Sequence, residues 1–383
     1  MTKRVGVKYL GPVFDGSGYA EFARNFICAL SERKDANITV QPVSYEKCRV
    51  DHGKQGKIVG SLINKEIDYN VKIINAIPDS LPQYAEKGKK NIAFTMFETS
   101  RIPDKWVKCL NEYADACFVP CVWNKQVFED SGVKIPLYVV PPGVDKHTYE
   151  DSDAIQPIRV SNFEEKVIKF YSIFQWTERK NPEGLLKAYW SAFSGREDVC
   201  LLLKTYGSDS SPQQQEALKQ RIMQLKGQMR LKVYPKVVFI GSMLTKAEML
   251  SLHRSGDCFV LPHRAEGFGL PHIEAMAMGN PVISTGFSGN MDFMNTENSY
   301  LLDYQMTPVC RMPWIPYYEG DMMWAEPDLG QLINTMQEIY ASLKAGDNIA
   351  RDKGKLGRKY VLDNFNWQVS ARKFMAACKE AIK

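Results

Sequence analysis

The chain has 383 residues, 44% of them hydrophobic and 24% charged, with 49 basic and 44 acidic side chains and a formal net charge of +5. That length predicts two domains, each able to bury its own core. The composition excludes a disordered tail protein, a collagen-like repeat and a disulfide-stapled miniprotein, and the small positive surplus is too weak to predict nucleic-acid binding, though it suits an anionic small ligand.

The first half alternates short apolar runs with helical patterns. Strands are predicted at Val5–Leu10, Ile38–Val43, Val71–Ile77, Asn91–Phe97, Ala116–Val119 and Leu137–Val140. Phe22, Phe26, Ile27 and Leu30 recur at helical spacing, and a second helix covers Asp104 to Tyr113. Such alternation predicts a parallel sheet wrapped by helices. The polar stretch from Asp151 to Glu165, with Pro157, reads as a linker. The pattern then restarts, with strands at Ile168–Phe174, Val199–Thr205, Val237–Gly241, Cys258–Leu261 and Pro281–Thr285. Asn181 is placed to cap a helix that opens on Pro182, and Thr245 with Glu248 has the spacing of a capping box. The aromatic and proline-rich segment Tyr304–Trp324 shows no clear period and receives no element. Helices are predicted over Asp328–Leu343 and Trp367–Ile382.

Nine scattered cysteines, most of them in apolar runs such as that around Cys200, predict buried free thiols in a reducing compartment. Cys117 and Cys121 have no second Cys/His pair to complete a zinc site. The first residues read directly as a strand rather than a signal peptide, and no run of about 18 apolar residues exists, so a cytoplasmic protein with weak membrane contact at most is predicted.

The strongest chemical signal is the run from Pro262 to Pro281, PHRAEGFGLPHIEAMAMGNP. A strand ends, a glycine-rich loop follows, a helix opens at Pro271 and stops at Gly279, and the next strand begins at once. The free N–H groups and dipole of that helix N-terminus favour an anion such as a diphosphate. Gly267 and Gly269 permit close backbone approach. Glu266 in the loop and Glu274 in the first turn or so are eight residues apart, and a carboxylate can accept two hydrogen bonds from a vicinal diol.

This segment resembles the Glu-x7-Glu motif of retaining glycosyltransferases of the GT-B fold, family 4. The loop around Gly16 and Gly18, the stretch VPPGVD ending at Asp145, and the run Glu178-Arg179-Lys180-Asn181-Pro182 are similar to other landmarks of that family. The resemblance implies an α/β GT-B fold, two Rossmann-like βαβ domains facing each other across a deep cleft. An acceptor-binding domain would occupy 1–160, with 366–383 packing back on it, and a donor-binding domain 161–365. It implies transfer of a hexose, mannose in type, from a nucleotide diphosphate sugar, with GDP preferred to UDP, to a glycan or glycoconjugate hydroxyl. Arg179 and Lys180 would grip the leaving diphosphate, Glu266 would bind donor-sugar hydroxyls and Glu274 the ribose. Backbone groups of Phe268, Gly269 and Leu270 would contact sugar and diphosphate. Ser242, Met243 and Leu244 would line the base pocket, and Gly16 and Gly18 would sit under the diphosphate or near the acceptor. No metal or other cofactor would be needed, since Arg179 and Lys180 neutralise the diphosphate.

Two departures stand out. Gln175 occupies a position where many members carry Arg, which leaves Arg179 to supply that charge. No histidine matches the family's N-terminal-domain histidine; Glu98, in the stretch Phe97–Ser100, is the polar candidate for the reaction centre. His253 is predicted on a helix surface, and His263 and His272 in the loop and helix, none of them as a base. The alternative reading is a catalytically silent sugar-nucleotide or glycan-binding module on the same scaffold.

Overall fold

A computed structural model describes residues 4–15, 18–44, 53–158, 167–312 and 315–382. The chain divides into two compact units, Met1–Gly143 with Asn364–Lys383, and Val144–Asp363.

The first unit runs β1 (Val5–Pro12), α1 (Gly18–Ser31), β2 (Ala36–Val43), α2 (Gly53–Leu62), β3 (Val71–Ile74), α3 (Leu81–Tyr84), β4 (Lys90–Phe94), α4 (Asp104–Tyr113), β5 (Ala116–Val119), α5 (Val122–Asp130) and β6 (Leu137–Val139). Its strands form a six-stranded parallel sheet in the order β2-β1-β3-β4-β5-β6. The apolar residues of α1 close its core: Phe26 meets Phe94 edge-on at 6.0 Å. The C-terminal helix of the chain, Trp367–Ile382, belongs to this unit. Its Phe374 is fully buried and sits edge-on to Phe26 at 4.7 Å and to Phe118 at 5.3 Å. Gly143 lies so close to the start of that helix that a Cβ there would come within 2.5 Å of the Asn366 carbonyl carbon.

The second unit runs α6 (Lys146–Glu150), β7 (Ile168–Gln175), α7 (Pro182–Phe193), β8 (Val199–Tyr206), α8 (Pro212–Met229), β9 (Lys236–Ile240), α9 (Lys246–Ser255), β10 (Cys258–Leu261), α10 (Leu270–Met278), β11 (Val282–Thr285), β12 (Tyr300–Leu302), β13 (Tyr304–Pro308), β14 (Met323–Pro327), α11 (Leu329–Ala345) and α12 (Ile349–Asn364); the terminal helix of the first unit is α13. The sheet order is β12-β11-β10-β7-β8-β9, all parallel. Thr245 and Glu248 do form a capping box at α9, and Asn181 caps α7 by accepting from the Gly184 N–H.

The division corrects the boundary expected near residue 160. The chain leaves the first unit at Gly143. Tyr149 is 1% exposed, Arg358 donates to the Ser152 hydroxyl at 2.9 Å, and the Ile158 N–H donates to Ser255 at 2.6 Å. A stretch that is polar in composition is therefore tied to the second unit through its backbone and side-chain hydrogen bonds; residues 159–166 of the expected linker lie outside the described residues. The segment Tyr304–Trp324 covers β13, the long connection and the first two residues of β14 of an antiparallel hairpin that ends at Pro327. Among the described residues no disulfide occurs, but the thiols are not uniformly buried: Cys310 is exposed and Cys28 half-buried, and Cys48 lies outside the described residues. No described helix is long and apolar enough to cross a membrane.

Candidate active site

The loop between β10 and α10 is held in one shape by backbone geometry. Gly269 caps α10 with φ of 99°, a left-handed conformation that disfavours any side chain. The helix opens one residue earlier than expected, at Leu270, which makes Pro271 its second residue; Gly279, with φ of 90°, ends it. From the far side, the turn after β11 pins the loop. The Glu266 N–H donates to Ser288 Oγ at 2.8 Å and the Gly289 N–H donates to the Glu266 carbonyl at 3.0 Å. A Cβ at Gly289 would lie 2.3 Å from the Gly267 carbonyl oxygen, so the two turns touch backbone to backbone.

Glu266 is 4% exposed. Lys180 pairs with one carboxylate oxygen, and Arg179 Nη1 lies 3.5 Å from the other. Burial by itself would raise the Glu266 pKa, but the Lys180 and Arg179 charges outweigh it and hold the carboxyl well below its ordinary value. Glu266 is thus an anion and an acceptor of hydrogen bonds, not a proton donor. The two cations are presented by a 3₁₀ turn, Glu178–Lys180, which leaves β7 and ends at Asn181 in the left-handed conformation (φ 53°). Because β7 and β10 are neighbours, that turn and the Glu266 loop meet at the same edge of the sheet.

Arg264, which sequence reasoning passed over, ties the pieces together. Its N–H donates to the Arg179 carbonyl at 2.7 Å, and its guanidinium binds Glu178 at 3.0 Å and Glu326 of β14. The Ala325 N–H returns a bond to the Arg264 carbonyl at 2.9 Å. The position of Arg264 inside the loop was the available signal, but its partners are 62 and 86 residues away. Beneath the loop, His263 and His272 are fully buried and stacked edge-on at 5.3 Å. Burial lowers both pKa values, that of His272 to about 4, so both rings are neutral at pH 7. His272 shares a 2.9 Å hydrogen bond with Ser284, whereas neither ring nitrogen of His263 has a hydrogen-bond partner among the described residues.

Glu274 lies one turn into α10 rather than at its tip, so it does not serve the helix end. Lys246, the first residue of α9, donates to it at 2.8 Å, and His253 Nε2 is 3.7 Å away. Burial works to raise the Glu274 pKa; Lys246 and His253 reverse this and bring it to about 2. His253 corrects an expectation: it is fully buried, not on the surface, because its ring packs on Tyr171 of β7 and Nδ1 lies 3.0 Å from the Tyr171 hydroxyl.

The other candidates fall as follows. Phe268 is buried against Phe293 at 5.1 Å, which leaves its backbone, not its ring, for a ligand. Leu270 is half-buried; Ser242 and Met243 are exposed and Leu244 half-buried on the loop after β9, so that loop is not core. Gly18 opens α1 of the first unit, and Gly16 lies outside the described residues. Glu98 also belongs to the first unit, half-buried after β4, between Phe97, whose N–H donates to Asn124 at 2.8 Å, and the buried Thr99. Gln175 spends its amide on the Gly207 carbonyl at 3.1 Å. Among the described residues no group of three or more His, Cys, Asp or Glu side chains could hold a metal.

The architecture matches a glycosyltransferase from Rickettsia africae with a TM-score of 0.70 and 14% identity over 99% of both chains. The fold is GT-B. The Anabaena protein HepE in complex with UDP and glucose matches with a TM-score of 0.66 and 12% identity over 97% of this chain and 99% of that one. Residues 165–307, under half of the chain, match the family model of glycosyl transferases group 1, and this stretch carries the Glu266 loop with Arg179, Lys180 and Glu274. Among curated relatives, mannosylfructose-phosphate synthase of Agrobacterium fabrum is 31% identical over 168 residues, 43% of this chain and 36% of that protein. The chain matches only about a third of the length of such relatives.

Proposed function

We propose that the protein is a retaining glycosyltransferase that moves a hexose from a nucleotide diphosphate sugar to a hydroxyl of a glycan or glycoconjugate. The observation that carries this reading is the triad of Glu266 with Arg179 and Lys180 at the mouth of α10. Two cations and a helix N-terminus suit a diphosphate, and an ionised carboxylate beside them suits sugar hydroxyls. The C1–O bond to the diphosphate breaks while negative charge grows on the leaving oxygen, where fixed cations lower the barrier. The acceptor oxygen attacks C1 on the same face, and the leaving oxygen takes its proton, so no protein nucleophile or metal is required. Glu274 receives the ribose hydroxyls. Glu98 is kept as the polar candidate that the family resemblance offers for the reaction.

Mannose from a GDP-sugar is the preferred donor; the mannosyl transfer in the name of the Agrobacterium relative supports the sugar. The UDP and glucose bound by HepE favour the other nucleotide and sugar. Calorimetric titration with GDP, UDP, GDP-mannose and UDP-glucose decides between them. Folded protein that binds and turns over none of these would remove the proposal, and binding without turnover would favour a silent module.

A further inference from the structure

Lys204 is 3% exposed, in β8, two residues before the strand ends. Among the described residues no carboxylate pairs with it, and burial alone draws its pKa down to about 8. A buried ammonium without a counter-charge weakens a fold unless something else uses it. Where it points follows from register. Tyr171 faces His253 of α9, so its side of the sheet is the one α9 covers. Tyr171 stands opposite Leu202 and Ile173 opposite Lys204; because side chains alternate, Lys204 projects on that same face. Its other neighbour is Ile240, the last residue of β9, which leads into Ser242–Leu244. Nζ lies over the Tyr206 ring, 5.0 Å from its centroid, a cation–π contact that offsets part of the burial cost and holds the ammonium towards the carboxyl edge of the sheet, where ligands of open parallel sheets bind.

Along that edge the order is β10 with Glu266, β7 with Arg179 and Lys180, β8 with Lys204, then β9 with its exposed loop. Strands are about 4.8 Å apart, so Lys204 stands beyond the diphosphate cations, on the side where a nucleoside would extend. We propose that Lys204 donates a hydrogen bond to a carbonyl oxygen of the donor's nucleobase and selects uracil or guanine over adenine, which carries an amino group instead. The inference rests on the nucleotide-sugar reading above.

The test is calorimetry on the full chain with UDP, GDP, ADP and inorganic pyrophosphate, comparing wild type with Lys204→Met and Lys204→Arg. Lys204→Met should fold and melt close to the wild-type temperature, since relief of a buried charge that has no carboxylate partner among the described residues offsets loss of its cation–π contact with Tyr206. It should lose at least about tenfold in affinity for whichever of UDP and GDP the wild type prefers, keep its pyrophosphate affinity, and discriminate less against ADP; Lys204→Arg should retain part of the preference. Unchanged nucleotide affinity, an equal loss for pyrophosphate, or a Lys204→Met chain that fails to fold overturns the assignment. Wild-type protein that binds no nucleoside diphosphate removes the donor reading itself, and this inference with it.

Discussion

Replacing Glu266 with Gln keeps the shape of the side chain and removes its charge. Lys180 and Arg179, whose side chains are 12% and 16% exposed, then face a neutral amide. Breaking a buried ion pair costs about 3–5 kcal/mol, and partial exposure of both cations places this case near the lower end. For a unit of this size that is a fall of roughly 6–12 °C in melting temperature. The effect depends on pH with a definite sign. The folded Glu266 carboxyl titrates below its ordinary value of 4.5, so its stabilisation is complete above that pH and is lost as the pH falls. The melting gap between wild type and Glu266→Gln should be full at pH 7 and narrow below pH 4.5. On activity, the amide nitrogen cannot accept from a sugar hydroxyl. One charge-assisted bond of about 1.5–3 kcal/mol disappears, which is roughly tenfold to 150-fold in kcat/KM. Steady-state kinetics beside scanning calorimetry measures both. Wild-type kcat/KM and melting would refute the reasoning, as would a collapse of about 10⁵-fold with donor affinity intact, the signature of a lost covalent nucleophile.

Three further outcomes are expected. Glu274→Gln should weaken nucleoside diphosphate binding about tenfold or more, and a 2′-deoxy donor should lose the same factor in wild type but little more in the variant; with a pKa of about 2, Glu274 should leave that affinity unchanged between pH 5 and 8. Gly269→Ala forces a side chain into φ of 99° with its Cβ 3.0 Å from His272 Nδ1, and chemical denaturation should show a loss of about 1–3 kcal/mol. Phe374→Ala should destabilise the first unit by about 3–5 kcal/mol, and deletion of 367–383 should abolish its cooperative unfolding; a stable, active truncation would contradict the packing of α13 on α1.

The strands were legible where they are apolar throughout and flanked by helices. Ala116–Val119 and Cys258–Leu261 stand where their apolar runs end, because a strand buried on both faces of a parallel sheet reads as a continuous apolar block. Helix ends were legible for the same local reason: Asn181, Thr245 and Asp328 bind N–H groups three residues on, a contact written within one turn of chain. β12 and the β13–β14 hairpin were not: only one of the three residues of β12 is buried, and β13 is exposed at four of its five positions, so neither writes a continuous apolar block.

The sequence by itself determined the α/β class, the loop–helix unit from Pro262 to Gly279, and the candidacy of Glu266, Arg179 and Lys180, all properties of short stretches with local rules. The tertiary structure alone decided who meets whom. It paired Glu266 with residues 86 and 87 positions away, gave Glu274 to Lys246, buried His253 against Tyr171, moved the boundary to Gly143 and left Lys204 buried with no carboxylate partner among the described residues. Charge compensation and burial depend on distance in space, and a +5 total carries no information about which five charges are unmatched or where they lie.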